Sequence, residues 1–501
     1  ARGNVVHLTN VEVVSFHYGL PTANLVGGFT VEATDLFGFD FYGEWDRNVR
    51  YSQYPNTFRF SANKGHEISS RNAEASLLTI SRQAYPYFAF AELYSIDEDY
   101  STSVFVSDRQ GDFKYDQPVT VLYEFVDDND DNDRRADWSR TGGGATDTQV
   151  YPGWDENWDF ISDFNQNDTG AIPNRIPDYD EPFLRHDVDR PEFLFGIDMN
   201  NNAWIDRFED DDLPDYPYKT DRRGYNVFGG IHLTPESRLF VGRTNEEMLS
   251  DERRNTGTYA LFTIDREYAG LGRVRVFDML RRVSDSIPDD RRASALYRDA
   301  QLQPLVPDIL PAPDTWINTG WFGFDYTAVP RLKIISKLKH EFYNQEDKAG
   351  DELRDQSFFG IITKGEYSTS LRQWDLIPRW KQIFQSRTPA QRSALQIREL
   401  TEIFSLQAVR RINRNMSFIA GTEYEIFNNL RPKPDPLPSG YLLDGNTWIL
   451  AGQIANKSAY QGYDLTTNVG VRWVRRDFDS SPSSSELLTF ISVFAGLGTD
   501  R

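Results

Sequence analysis

Apolar side chains recur at every second position over runs of ten residues or more, and that beat confines the chain to one kind of secondary structure. Residues 36–46 set Phe37, Phe39, Phe41 and Trp45 on one side and Asp40, Tyr42, Glu44 and Asp46 on the other. Only an extended backbone sends successive side chains to opposite faces; a helix would scatter those aromatics around its circumference. Residues 332–343 repeat the pattern: Leu332, Ile334, Leu338 and Phe342 alternate with Lys333, Lys337, Lys339 and Glu341, and only Ile335, Ser336 and His340 blur it. The same period returns at Met416, Phe418, Ala420, Tyr424 and Ile426, at Tyr463, Leu465, Val469, Val471 and Trp473, and at Leu488, Phe490 and Phe494.

Strands of about ten to twelve residues are long for a soluble sheet and suit a tilted strand that crosses a bilayer. Counting such runs gives about 16 to 20 strands, with the weakest alternation over residues 51–126. The connections are unequal. Short turns at 234–237, 268–272 and 411–415 alternate with long polar stretches at 127–223, 283–315, 344–357 and 428–446. That asymmetry is the one expected of an antiparallel transmembrane barrel, with short turns at one rim and long loops at the other. The fold class read from the sequence is therefore all-β: one large antiparallel transmembrane β-barrel. Residues 1–126 and 224–501 supply its strands, and residues 127–223 form an acidic insertion. Two short helical patches are expected at the rim, at 290–301 and at 388–399, the second opening with Thr388 as N-cap and Pro389 in the first turn.

Composition agrees with strands that have one apolar face. Aromatic residues make up 14% of the 501 residues, while mean hydropathy is only −0.59. No stretch approaches the roughly 20 apolar residues of a spanning helix. Ala1-Arg2-Gly3 opens without a signal peptide, which is the expected start of a mature or trimmed chain. There is no cysteine, so disulfides, thiolate metal sites and cysteine nucleophiles are excluded. A formal net charge of −22 repels nucleic acid and anionic lipid and makes cations the natural small partners.

The acidic insertion carries the sharpest motif. From Asp198 to Glu209, oxygen-bearing side chains stand at Asp198, Asn200, Asn202, Asp206 and Glu209, with Trp204 at the seventh position to offer its carbonyl. This is the spacing of an EF-hand calcium loop: a hard cation wants six to eight oxygens, and alternate residues of a tight loop turn theirs inward. Ala203 stands where a left-handed glycine is expected, and no amphipathic helices flank the loop, so it reads as EF-like. Upstream, Asp163, Asn165 and Asn167 repeat the start of the motif, with Asp178 within reach. Asp127, Asn129, Asp131 and Asp133 form a third cluster, dense enough to repel itself without a cation. The expected ion is Ca2+, organising loops whose apolar content is too low to order them by burial.

The long alternating strands, ending in residues 487–497, resemble those of bacterial outer-membrane porins and barrel transporters, over most of the chain outside residues 127–223. Such barrels commonly finish on an aromatic residue, whereas here Phe494 is followed by Ala495 to Arg501. The resemblance implies a protein of a Gram-negative outer membrane, in contact with lipid and with its loops outside. It would either pass small solutes or present its loops to an extracellular or periplasmic protein.

Enzyme chemistry finds little support. There is no Gly-x-Ser-x-Gly elbow and no His-Glu-x-x-His motif, and Thr141-Gly142-Gly143-Gly144-Ala145 lacks the Gly-Lys-Ser/Thr of a phosphate loop. With 76 Asp and Glu, a glycosidase pair cannot be picked out by abundance. The expectation is a porin-like, non-enzymatic channel. The alternatives are an assembly barrel that anchors a filament, lipoprotein or polysaccharide through its insertion, and a secreted calcium-dependent carbohydrate binder stacking sugars on Trp154, Trp158 and Trp204. A soluble sandwich or propeller would also alternate.

Overall fold

The computed structural model describes residues 20–53, 68–102, 106–107, 113–114, 182–183, 185–201, 205, 219–287, 291–292, 305–306, 312, 314–346, 353–438, 441–460, 463–479 and 482–497. Its strands are β1 (Leu20–Leu36), β2 (Phe39–Gln53), β3 (Ile68–Ala84), β4 (Tyr87–Ile96), β5 (Val106–Ser107), β6 (Phe113–Lys114), β7 (Arg222–Thr234), β8 (Ser237–Met248), β9 (Arg254–Tyr268) and β10 (Gly272–Asp285). There follow β11 (Arg291–Arg292), β12 (Leu305–Val306), β13 (Thr315–Tyr326), β14 (Leu332–Gln345), β15 (Gln356–Tyr367), β16 (Thr369–Leu371), β17 (Trp374–Thr388), β18 (Ile397–Arg411), β19 (Met416–Asn429), β20 (Gly445–Tyr460), β21 (Tyr463–Phe478) and β22 (Ser484–Leu497).

Eighteen of these strands form one antiparallel sheet, the barrel wall, within the expected range of strand number. Each strand pairs with its neighbour in sequence, and β16 extends β15 along the same partner, β17. β5 pairs with β6 and β11 with β12 in two small separate ribbons. No α-helix occurs among the described residues; Pro191–Phe193 forms a 3-10 turn.

Because the wall runs antiparallel in chain order, alternate connections fall at the same end. The turns at 37–38, 85–86, 235–236, 269–271 and 412–415 lie at one rim, and the strand ends that open onto the connections at 97–221, 286–314, 346–355 and 430–444 lie at the other. Local chemistry fits the tight turns. Ser237 Oγ accepts the Thr234 amide at 3.0 Å, and Gly270 at φ 72° supplies the left-handed residue of the β9–β10 turn.

The two faces of the wall differ as the alternation requires. On β14, Lys339, Tyr343 and Gln345 are buried on the inner face, while His340, Phe342 and Asn344 are exposed on the outer one. The outer face carries large exposed apolar residues around the wall, among them Phe29, Val241, Leu280, Phe404, Leu450 and Val471. The inner face holds small buried clusters, one of Val283, Ile317 and Tyr343, another of Tyr259, Leu261, Phe277, Met279 and Trp321.

The expected helix at 388–399 is corrected by the structure. Thr388 ends β17 and Ile397 opens β18, leaving eight connecting residues, 389–396. Arg354 from the neighbouring connection takes the carbonyls of Pro389 at 2.7 Å and Ala394 at 3.2 Å, and Leu353 bridges to Gln391. A helix-starting Thr-Pro is thus overridden by a connection too short for a stable helix, with its acceptors engaged from outside. Of the patch at 290–301, Arg291–Arg292 lies in β11 and the rest falls outside the described residues.

Ile362, fully buried on the inner face of β15, packs with Phe193, Phe358 and Ile383. Ile362→Ala is expected to cost about 2–5 kcal/mol of folding free energy, and Ile361→Ala, on the outer face, less; urea titrations of the two variants compare them.

Candidate functional site

Residues 182–183 and 185–201, from the connection between β4 and β7, lie along the inner face of the wall, and three features seat them there: two glycines, an aromatic cluster and a set of buried ions.

Gly360 on β15 and Gly421 on β19 each leave room for a ring. A Cβ at 360 would stand 2.6 Å from the Phe193 ring, and one at 421 would stand 2.8 Å from Phe183. No side chain but hydrogen fits at either place. Phe193 meets Phe358 edge-on at 5.5 Å between centroids. Phe195 stacks on Trp321 of β13 at 4.1 Å and 21°, an offset-stacked geometry that favours aromatic pairs.

The ions are more exacting. Asp189 places its carboxylate among three lysines on neighbouring strands: Lys337 of β14 at 2.5 Å, Lys364 of β15 at 2.9 Å and Lys381 of β17 at 2.8 Å. Lys381 is completely buried, and its ammonium also donates to the carbonyls of Arg185 and of Val188, the latter at 2.6 Å. Lys364 donates to the Asp187 carbonyl at 2.5 Å. Burial by itself would raise the Asp189 pKa, but Lys364, Lys381 and Lys337 outweigh it and hold the carboxyl well below its usual range.

A second anchor reverses the signs. Arg185 of the segment donates to Glu423 of β19 at 2.6 Å and also pairs with Glu425. Glu423 accepts the Phe183 amide at 2.9 Å with its other oxygen. Burial would lower the Arg185 pKa, and the two carboxylates raise it instead. Each anchor sets opposite charges against one another, three lysines around one carboxylate and two carboxylates around one guanidinium, as buried charges require partners.

The predicted calcium residues divide unevenly. Asn202, Trp204, Asp206, Glu209, Asp163, Asn165, Asn167, Asp178, Asp127, Asn129, Asp131 and Asp133 lie outside the described residues. Asp198 and Asn200 are described, and they end the inward segment at the rim of the long connections, where the adjacent Asn201 meets Asn255, second in β9, and Asp285, last in β10. The Asp198 carboxylate stands 3.8 Å from Arg281 of β10, and its carbonyl accepts from the same guanidinium. Next to it, Asn201 accepts from Arg281 at 2.9 Å and donates to Asn255 and Asp285, each at 3.2 Å. Among the described residues, His186, Asp187 and Glu366 bring three potential metal ligands within 4.8 Å of one another. Arg379 already pairs with Glu366 at 2.7 Å, so this group reads as part of the ionic seam.

Sequence reasoning did not find Arg185, Asp189, Lys364, Lys381 or Glu423. One signal was present: charged residues at the inward beat of strands whose outward beat is apolar, each needing an opposite charge somewhere in the lumen.

No protein-family model and no curated protein matches the chain. Among solved structures it is similar to the RagAB peptide importer in its closed-closed state, at 10% identity over 88% of this chain and 49% of that one, with a TM-score of 0.27. A structure of the RagAB peptide transporter matches at 10% identity over 91% and 51%, with a TM-score of 0.26. OmpT, an outer membrane protein of Vibrio cholerae, matches in its trimer form at 9% identity over 55% and 89%, with a TM-score of 0.21. This chain spans about half the length of the RagAB chains. At these TM-scores the likeness carries no functional argument.

Asp189→Asn leaves three lysines facing a neutral amide and is expected to cost the docked segment about 3–5 kcal/mol, read as faster tryptic cleavage after Arg185. Because the Asp189 pKa is depressed on docking, its contribution is full above the unfolded carboxylate value of about 3.9. It is lost only as pH falls through the lower docked value. Wild-type protection should therefore persist down to about pH 4 and fail on further acidification, which proteolysis with an acid-active enzyme follows.

Proposed function

We propose that this chain is an outer-membrane β-barrel that passes solute through a lumen narrowed by residues 182–201. One observation carries the reading: a single-layer wall exposes Phe29, Val241, Phe404 and Leu450 on its outer face while its inner face buries Lys339, Lys364, Lys381 and Glu423. Soluble monomers rarely expose contiguous apolar patches beyond a few hundred Å², and lipid is the medium in which such a face is at rest. In this reading the apolar face lies in an outer membrane and the long connections lie outside the cell.

The inward segment supports a gated passage. Its anchors are ion pairs, which can be exchanged for water or for other ions, rather than an uninterrupted apolar plug. The same filled lumen favours a second reading, an assembly barrel whose insertion docks a partner and whose lumen stays shut. Calcium is kept as a proposal for the acidic loops, supported by the spacing of Asp198 to Glu209. Equilibrium dialysis against Ca2+ tests it, and absence of binding at millimolar calcium would exclude it.

Reconstitution into liposomes separates the two main readings. Small-sugar uptake is expected to be slow for the wild type and clearly faster for Asp189→Asn. Uptake that stays at the background of protein-free liposomes in both would favour the assembly barrel. Leu450→Arg, on the outer face of β20, should cost about 2–4 kcal/mol in bilayer folding if the residue meets lipid, measured by urea titration in vesicles.

A further inference from the structure

Lys364 and Lys381 stand directly opposite one another in the β15–β17 ladder, and Lys337 lies on the next strand, β14, opposite Ile362, two residues from Lys364. Like charges directly opposed on one face of a sheet are destabilising. A wall that holds two such lysines, one fully buried and one nearly so, is arranged around an anion. The three ammonium groups reach both oxygens of one carboxylate at 2.5–2.9 Å. That carboxylate belongs to the inward segment and not to the wall, as do the carbonyls that Lys364 and Lys381 hold. On one side the cradle is open, for the Lys337 side chain keeps 27% of its surface exposed.

We propose that Lys337, Lys364 and Lys381 form a carboxylate-binding site in the lumen, with Asp189 as its built-in occupant, and that a carboxylate-bearing solute competes with Asp189 for it. The proposal rests on the transport reading and names its substrate class. A solute carboxylate replaces Asp189 charge for charge, so the lysines stay compensated while the segment lets go. A neutral solute of the same size leaves three cations bare and cannot make the exchange. The ligand thereby favours the open arrangement by its differential affinity for it.

The test uses the full chain in detergent micelles and reads tryptic cleavage after Arg185, buried while the segment is docked, in the presence of glucuronate, glucose, or sodium chloride at matched ionic strength. Glucuronate should speed cleavage about fivefold over chloride, the effect of roughly 1 kcal/mol, and glucose should not. Lys337→Gln, with folding checked by its circular dichroism spectrum, should weaken that response, and Asp189→Asn should be cut fast without glucuronate. Equal acceleration by chloride, or none by glucuronate, overturns the site. Liposome uptake of the same two sugars keeps the two readings apart. If both sugars pass at one rate while cleavage ignores glucuronate, transport stands and the carboxylate site falls. A cleavage response with no uptake of either sugar supports the site and removes the transport reading.

Discussion

A strand in a single-layer wall has no second layer to hide behind, so its two faces must each be at peace with a different medium. Everything else in this protein follows from that constraint. From β2 to β21 each strand of the wall, with β16 counted as part of β15, is paired on both sides within the ladder, which leaves side chains to distinguish outside from inside. Outward positions such as Val241 and Leu450 carry exposed apolar side chains, and inward positions such as Lys381 and Glu423 hold buried charge against an opposite one.

Residues 182–201 supply that neutralisation. The wall offers a basic patch on β14, β15 and β17 and an acidic one on β19, and the segment answers with Asp189 and Arg185 in matching order. Rings fill what the ions do not: Phe183 and Phe193 enter seats that exist because Gly421 and Gly360 lack a Cβ. Such a contact is specific without being permanent. Buried ion pairs add little net stability over apolar packing, but each is costly to break by removing one partner.

Much of the wall was legible in the sequence because alternation is a local property. The alternation of Leu332, Ile334 and Leu338 with Lys333, Lys337 and Lys339 already assigns outside and inside on β14, and the unequal connections already assign the two rims. The segment's role was not legible, since no period marks it and its partners are defined by cross-strand register. That Lys364 faces Lys381 is a fact of pairing between β15 and β17, not of spacing. At 388–399 the opposite happened: Thr388 and Pro389 are sound local helix signals, and the tight span between β17 and β18 overrode them. The motif beginning at Asp198 was read as a rim loop, and Asn201 does meet Asn255 and Asp285 at the rim ends of β9 and β10; spacing did not show that the residues before it run along the inner face.

The chain order of these parts sets a sequence of events. Arg185 and Glu423 are separated by 238 residues, and the segment precedes in the chain every strand to which its two ionic anchors attach. Bringing such distant positions together carries a loop-closure cost that intervening structure must first reduce. The wall from β14 to β19 therefore has to be paired before the segment has anywhere to bind, so the lumen is narrowed last, by a piece of chain made early and held back until its receptor exists.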